Sequence, residues 1–243
     1  MPKARKRKTP IVQANTDAPT SSKPEVTRSV IREFHTLLKR QAQLQKKGTQ
    51  DATTTSELSQ IQKRIDELGG LERYQHMSAV GQKDDRGGGS HKILIGWMKE
   101  LGLHRGGGDA VGKLKLLEVG ALLPDNYQSC SSWIDNHPID LNSRHPAILQ
   151  QDFFLLDPQA NSEKWSVISL SLVVNFVPEP KDRGRMLLMA HSMLVPDGHL
   201  FVALPLPCLS NSRYLTFEHF EAVMNVVGFT KVKEKWREGE AGS

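Results

Sequence analysis

The chain has 243 residues, of which 38% are hydrophobic and 24% are charged, and its formal net charge at pH 7 is +5. This length fits one α/β domain of ordinary size together with an accessory segment. The longest apolar run, residues 167–177, is interrupted by polar side chains and is too short to cross a bilayer, so we expect no membrane partner. Cys130 and Cys208 lie in neither a Cys-x-x-Cys nor a Cys/His spacing, so we expect no metal site.

Residues 1–27 form the first segment, which we predict to be a disordered basic tail because it has few large apolar groups. Five positive charges lie within six positions, from Lys3 to Lys8. Such a block is typical of a nuclear address or of a phosphate-binding arm, although a solvated tail without function has the same composition. As an address, it predicts a protein of the nucleus or nucleolus.

Residues 28–82 are predicted to form a helical hairpin and a connector. Apolar residues follow helical spacing at 30–44 and again at 58–68. Thr54, with Glu57 three residues later, predicts a capping box at the start of the second helix. Both apolar stripes are narrow, so the helices must pack on each other, on the main domain or on an outside macromolecule.

Residues 83–112 contain two glycine runs on either side of an apolar helical pattern. Neither run has the Lys-Ser/Thr ending of a phosphate-binding P-loop, which favours flexible linkers. Ser90 is predicted to cap the helix between them, through which the chain enters the main domain.

Residues 113–243 alternate short apolar strands with helical patterns, which predicts a parallel sheet covered on both faces. Ligands of such sheets bind at the carboxyl ends of the strands. The predicted helices are Arg183 to Leu194 and Thr216 to Val227, and the predicted strands are Lys115 to Val119, Ile139 to Leu141, Ala147 to Gln150, Ser166 to Ser171, His199 to Leu204 and Thr230 to Lys235.

Three turns that follow the first predicted strands carry residues suited to a nucleoside. Gly120 lets the backbone approach a ligand, and Asp140 ends the next strand, where a carboxylate can accept both hydroxyls of a ribose. Asp152 follows the third strand. This pattern of turns predicts an adenosine-containing cofactor. It does not identify the reaction, because a dehydrogenase would satisfy the pattern nearly as well.

The segments around these turns resemble the class I S-adenosylmethionine-dependent methyltransferases, and more narrowly the fungal 25S rRNA adenine-N1 methyltransferases. The resemblance extends from about residue 30 to residue 236. It is carried in order by Arg-Tyr-Gln at 73–75, Ser-His-Lys at 90–92, Leu-Glu-Val-Gly at 117–120, Ile-Asp-Leu-Asn at 139–142, Gln-Asp-Phe at 151–153, Ser-Leu-Val-Val-Asn-Phe-Val-Pro at 171–178, Leu-Val-Pro-Asp-Gly-His-Leu at 194–200 and the segment 203–214.

The resemblance implies an α/β fold, a Rossmann-like class I methyltransferase sheet with an amino-terminal helical extension. It implies S-adenosyl-L-methionine as cofactor and large-subunit rRNA or the pre-ribosome as partner. Gly120 is then expected beside the cofactor and Asp140 on its ribose, with Asp152 and Phe153 near its adenine. In the alternative, Asp152 caps a turn and Phe153 belongs to the core. Such enzymes usually carry further glycines after the first, whereas this chain continues with Ala121.

The turn after the fourth predicted strand holds the substrate in enzymes of this kind. The resemblance implies that Asn175 is catalytic, hydrogen-bonding the target adenine, and that Phe176 stacks on it. In the alternative, Asn175 forms a turn and Phe176 is a core residue. The arginines at 144, 183, 185 and 213 are candidates for contacts with RNA phosphates, although ordinary surface charge explains them equally.

Other functions stay open at this point. The chain is also consistent with a sensor that binds S-adenosylmethionine and reports its level to a protein partner through the amino-terminal helices, or with a protein methyltransferase. Class I methyltransferases normally add one more antiparallel strand after the predicted strand Thr230 to Lys235. We therefore expect the final strand to be missing, as in a shortened gene model or fragment, which would expose an apolar sheet edge.

Overall fold

The computed structural model describes residues 24–48, 51–81, 89–105, 112–212 and 214–236. Within these ranges a helical bundle precedes a five-stranded sheet that is flanked by helices. The helices are α1 (Pro24–Lys47), α2 (Ala52–Glu67), α3 (Gly70–Gly81), α4 (Ser90–Glu100), α5 (Pro158–Asn161), α6 (Pro180–Met193), α7 (Pro207–Ser210) and α8 (Phe217–Val227). The strands are β1 (Leu114–Val119), β2 (Ile134–Asp140), β3 (Leu149–Gln150), β4 (Trp165–Ser171) and β5 (Leu194–Ala203).

The predicted disordered tail is wrong at its end, because residues 24–27 already belong to α1. Pro24 is the first residue of that helix, where a missing N–H breaks no intrahelical hydrogen bond. The rest of the predicted tail, residues 1–23, and most of the two glycine runs lie outside the described residues.

The amino-terminal helices form a three-helix bundle in place of the predicted hairpin. The segment predicted as a connector is α3, and Tyr74 of α3 stacks on Phe34 of α1 with ring centroids 4.9 Å apart. This third helix supplies the partner that two narrow apolar stripes lacked. The buried centre of the bundle consists of Phe34, Leu44, Ile61, Ile65 and Leu68.

Both predicted helix caps lie one or more residues too late. Asp51 is the cap of α2, with its side chain accepting from the Thr54 amide at 2.6 Å, because it has the extended backbone that precedes a helix. Thr54 lies inside that helix. Likewise, Gly89 is the cap residue of α4, and Ser90 is its first helical residue.

The sheet has the order β3-β2-β1-β4-β5, and all of its strand pairs are parallel. The predicted α/β class and parallel sheet are therefore confirmed. Alternate side chains of β1 enter different layers, with Leu116 packing in the cluster that contains α4 residues and Leu117 in the cluster that contains α6 residues. The carboxyl ends of the strands consequently meet at one edge of a sheet covered on both faces.

Strands β2 and β5 begin earlier than predicted. β2 starts at Ile134, since its first half alternates buried and exposed positions and is paired to β1 from its first residue. β5 starts at Leu194, and the pairing then shifts, so that residues 196–198, which precede the predicted strand, form a bulge within the observed one. Asp197 in this bulge has a φ of 60°.

The segment Thr230 to Lys235, predicted as a strand, is not one in the structure. Lys231 binds Glu221 of α8 at 2.6 Å, and Lys233 binds Glu100 of α4. The segment and β5 line the same cavity of about 1350 Å³, and none of the described strands pairs with the segment. Among the described strands, β5 is thus an edge with β4 as its one neighbour.

Candidate functional site

The turn after β1 is built around Gly120. The amides of Gly120 and Ala121 both donate to the carbonyl oxygen of Ile139, at 2.8 and 3.1 Å, which ties this turn to the end of β2. Gly120 has a φ of 75°, and a Cβ added to it would lie 2.7 Å from Cγ2 of Val173. Glycine is therefore required both for the backbone conformation and for the close approach of the loop after β4.

Replacing Gly120 by Ala should destabilise the fold, since the new Cβ meets Val173 and the left-handed backbone alone costs about 1–2 kcal/mol. We expect a clearly lower melting temperature. Gly96→Ala is the matched control, because a Cβ at this position in α4 meets nothing within 4 Å and alanine favours helix. Thermal melts check both variants, and equal melting temperatures for the two would contradict this account of the turn.

Asp140 ends β2 with one carboxylate oxygen engaged and one available. Its Oδ1 accepts from the amide of Asn142 at 2.8 Å, and its backbone carbonyl accepts from the amide of Gln151 at 2.9 Å. Oδ2 has no hydrogen-bond partner within the described part of the chain. Burial raises the pKa of Asp140. A partly buried carboxylate with a free oxygen is suited to accept hydrogen bonds from ligand hydroxyls.

Asp152 and Phe153 lie after β3, and their contact with an adenine stays a prediction. Asp152 Oδ1 accepts from the amide of Phe154 at 2.8 Å and so caps a short 3-10 turn. Phe153 is only 3% exposed and packs in the core. In this structure both residues therefore have the contacts expected in the alternative, in which Asp152 caps a turn and Phe153 belongs to the core.

Asn175 lies in a short 3-10 turn directly after β4. It is 6% exposed, and its buried Oδ1 has no hydrogen-bond partner among the residues that the structure describes. Leaving such an acceptor unsatisfied costs about 1–3 kcal/mol. A buried polar atom without a partner at the carboxyl end of a central strand is the arrangement expected where a ligand supplies the missing donor.

Phe176 is packed against the amino-terminal bundle. Its ring centroid lies 3.9 Å from that of His35 and 5.8 Å from that of Tyr74, both edge-on. His35 Nε2 and the Tyr74 hydroxyl lie 2.9 Å apart, and burial followed by the nearby Lys39 ammonium lowers the pKa of His35 to about 4. Phe176 thus joins the bundle to the loop that carries Asn175, and its stacking on a substrate base stays a prediction.

Glu118 is a candidate site residue that the sequence reasoning did not single out. It is 6% exposed and accepts from Asn126 Nδ2 at 2.6 Å and from Asn136 Nδ2 at 3.0 Å. Burial raises the pKa of Glu118. The signal was present, because an acidic residue within an apolar parallel strand is rarely buried without a role.

A small polar cavity opens beside Glu118 at the carboxyl ends of β1 and β4. The hydroxyls of Ser90 and Ser171 are in hydrogen-bond contact there, so the start of α4 meets the end of β4. Gly120 and Glu118 also line this cavity. The cavity therefore combines a carboxylate, hydroxyls and a close backbone approach, which suits the polar end of a small ligand.

The arginines that are candidates for contacts with RNA phosphates differ in their contacts within the protein. Arg144 binds Glu72 of α3 at 2.9 Å, and the Arg185 guanidinium lies over the ring of Phe154 at 5.2 Å. Arg183 donates to backbone carbonyls in the loop after Asn175. The fourth, at position 213, lies outside the described residues.

The described ranges contain neither a metal-binding cluster nor a membrane-spanning helix. No group of three or more His, Cys, Asp or Glu side chains there is placed to hold a metal ion. No helix in those ranges combines the length and apolar character that crossing a membrane requires.

The chain is similar to a known family over most of its length. A family profile described as "25S rRNA (adenine(2142)-N(1))-methyltransferase, Bmt2" matches residues 59–239, which include Gly120, Asp140 and Asn175. The 25S rRNA adenine-N(1) methyltransferase of Schizosaccharomyces pombe is 33% identical over 205 residues, covering 82% of this chain and 73% of that protein. The 25S rRNA (adenine(2142)-N(1))-methyltransferase of Saccharomyces cerevisiae is 33% identical over 215 residues, covering 87% of this chain and 61% of that protein. The resemblance seen in the sequence is confirmed: the chain belongs to the Bmt2 family of 25S rRNA adenine-N(1) methyltransferases.

Proposed function

We propose that this chain transfers a methyl group from S-adenosyl-L-methionine to N1 of an adenine in large-subunit rRNA. The observation that carries the proposal is the buried, unpartnered Oδ1 of Asn175, which lies at the end of β4 in the loop that contacts Gly120 through Val173. Membership of a family named for this reaction supports the substrate and the methylated atom.

Asn175 would hold the target base by its exocyclic amine. Adenine N1 is blocked by pairing in a duplex, so the base must be single-stranded or flipped out of a helix. The free Oδ1 of Asn175 accepts from the amine on the base, which presents N1 toward the methyl donor. Because the N1 lone pair attacks directly, the chain must orient the base and exclude water rather than remove a proton.

Three residues at the ends of β1 and β2 fit the cofactor. When bound, S-adenosylmethionine supplies a methyl group already activated by its sulfonium. The free Oδ2 of Asp140 accepts from the ribose hydroxyls, and Gly120 allows the backbone to lie against the cofactor. The carboxylate of Glu118, at the adjoining polar cavity, suits the ammonium of the methionine portion.

Cofactor affinity should fall on acidification because Asp140 must be ionised to accept two hydroxyls. Burial raises the pKa of Asp140, so the fall should begin at a higher pH than for an ordinary aspartate, whose pKa is about 3.9. Calorimetric titration with S-adenosylmethionine from pH 7 down to pH 4 checks this. In Asp140→Asn the affinity should be lower and nearly flat over the same range, and an equally steep fall in that variant would assign the proton to another group.

The proposed setting is the nucleolus, with the pre-ribosome as partner. The basic run from Lys3 to Lys8 supports this, since such runs are read as nuclear addresses and attract RNA phosphates. Imaging of a fluorescent fusion tests it. Nucleolar enrichment that is lost when the basic residues are replaced by Gln would support the proposal, and uniform cytoplasmic signal from the intact fusion would contradict it.

The decisive experiment measures turnover. Purified chain is incubated with methyl-labelled S-adenosylmethionine and large-subunit rRNA that lacks this modification, and the RNA is digested to nucleosides. We expect labelled N1-methyladenosine. Label in protein after replacing the RNA with a protein extract would instead identify a protein methyltransferase.

A second candidate, the cofactor sensor, is favoured by the position of the loop after β4. This loop contacts Gly120 through Val173 on one side and His35 of the bundle through Phe176 on the other. This single loop therefore connects Gly120, where the cofactor is proposed to bind, with the amino-terminal helices. The same turnover assay decides, because a sensor binds S-adenosylmethionine without forming methylated product.

A further inference from the structure

The amino-terminal bundle packs against Phe176, the residue next to Asn175. Helix α1 places His35 against Phe176, the residue that follows Asn175, and α3 brings Tyr74 to the same ring. Lys39 lies about one helical turn after His35 and therefore on the same face of α1. An RNA strand that delivers a base to Asn175 must pass close to this face of the bundle.

Two other basic side chains of α1 have carboxylate partners. Arg40 Nε lies 2.6 Å from Glu57 Oε1, which belongs to the neighbouring helix α2. Lys46 Nζ lies 3.5 Å from Asp182 Oδ2, at the start of α6. Their charges are therefore compensated within the protein, and neither is a strong candidate for an RNA contact.

Lys39 lies on α1 between two points where this helix meets the segment that carries Arg183: the ring centroids of His35 and Phe176 are 3.9 Å apart, and Lys46 Nζ lies 3.5 Å from Asp182 Oδ2. Lys39 is partly buried there, on the same face of the helix as His35. Burial, followed by repulsion from Arg183, lowers the pKa of Lys39. No carboxylate within the described ranges forms a salt bridge with Lys39, so its ammonium is available to an anion from outside the protein.

Arg183 is hydrogen-bonded to the loop that carries Asn175. Its Nε donates to the carbonyl oxygen of Val177 at 2.7 Å, and its Nη2 donates to that of Pro178 at 3.0 Å. A guanidinium has five N–H donors, so donors remain for a ligand after these two bonds. The carbonyls belong to the residues that follow Asn175 and Phe176, so an anion bound by Arg183 would lie at a set position relative to the base site.

We propose that Lys39 and Arg183 together bind a backbone phosphate of the rRNA next to the adenine that Asn175 receives. This inference rests on the proposed function. Phosphate is the anion that RNA presents at every nucleotide, and lysine and arginine are its usual protein ligands. Such a contact positions the strand without reading its sequence, which leaves recognition of the base to Asn175.

Lys39→Met tests the site, since it removes the charge and keeps most of the side-chain length. Binding of an RNA oligonucleotide carrying the methylated segment is measured by fluorescence anisotropy over a range of salt concentrations. We expect affinity to fall by about tenfold, and the slope of log affinity against log salt to decrease by about 0.7, the value for one phosphate contact on a single strand. Lys39→Arg should retain affinity, and Lys63→Met, at an exposed lysine of α2, should bind as the unaltered chain does.

Neutralising single phosphates identifies the contact itself. Oligonucleotides with one methylphosphonate at each position around the target adenine are bound to the unaltered chain and to Lys39→Met. At one position the loss caused by the methylphosphonate should disappear in Lys39→Met, because the partner charge is already gone. Additive losses at every position would overturn the proposal.

The outcomes separate this inference from the function on which it rests. Unchanged S-adenosylmethionine affinity and melting temperature in Lys39→Met show that the cofactor site and fold are intact. If the unaltered chain methylates RNA but Lys39→Met binds RNA with the same affinity and salt slope, the phosphate site is wrong and the function stands. If the unaltered chain binds the cofactor but neither binds nor methylates RNA, both are wrong.

Discussion

Asn175→Ala is expected to lower the rate of adenine methylation by about 100-fold or more, the effect of removing one well-placed polar group from a catalytic site. The variant loses the buried Oδ1 that we propose orients the base, while no hydrogen bond of that atom within the described structure is broken. Affinity for S-adenosylmethionine should therefore stay unchanged. Single-turnover methylation of rRNA and calorimetric titration of the cofactor measure the two effects separately.

The matched control for this variant is Asn225→Ala, at an exposed asparagine of α8 far along the chain from the site. It should methylate at the rate of the unaltered chain. Full activity of Asn175→Ala would remove this residue from the mechanism. Loss of cofactor affinity in Asn175→Ala would instead mean that Asn175 belongs to the cofactor site.

Asp140→Ala is expected to weaken cofactor binding by about tenfold to a hundredfold, since hydrogen bonds to a charged group are each worth about 1.5–3 kcal/mol. The physical reason is the loss of the free Oδ2, the candidate acceptor for both ribose hydroxyls. The KM for S-adenosylmethionine should rise, and the rate at saturating cofactor should change much less. Calorimetry and steady-state kinetics provide these two measurements.

Asp135→Ala is the control, because Asp135 lies near the opposite end of the same strand and is exposed, with His137 as its partner at 3.0 Å. Its cofactor affinity should match that of the unaltered chain. Normal affinity in Asp140→Ala would overturn the ribose assignment. A parallel loss in Asp135→Ala would show that strand β2 had been disturbed as a whole.

Asn175→Ala and Asp140→Ala are expected to change different kinetic parameters. This difference tests whether the substrate and the cofactor bind at separate places in the site. Asn175 follows β4, where the substrate is expected, whereas Asp140 ends β2, on the other side of β1 in the sheet. A change that affects only the reacting base lowers the rate at saturating cofactor, and a change in cofactor contacts raises KM. If both variants changed the same parameter, the two ligands would not be separated along the sheet as proposed.

Local patterns in the sequence were sufficient to predict much of the sheet and two candidate positions of the site. Gly120 follows a short apolar strand and Asp140 ends the next one, and the conformation of Gly120 and the engaged oxygen of Asp140 depend on residues close to them in sequence or on the adjacent strand. Apolar periodicity failed where polar residues are part of a strand, as in the first half of β2. It also failed at residues 230–235, because a strand needs a neighbour at hydrogen-bond distance and none of the described strands pairs with this segment.

The class of sheet, the family resemblance and the turns that carry Gly120, Asp140 and Asn175 can be recognised without a structure, because they depend on residue order and on spacing within single elements. Which side chains are free to bind becomes visible only in the folded chain. The docking of the bundle on the sheet determines that Phe176 packs on His35 and that α1 reaches the start of α6, and the folded chain leaves the Oδ1 of Asn175 buried without a partner among the described residues. Such contacts join residues far apart in the chain, and their geometry follows from packing of whole elements rather than from local pattern.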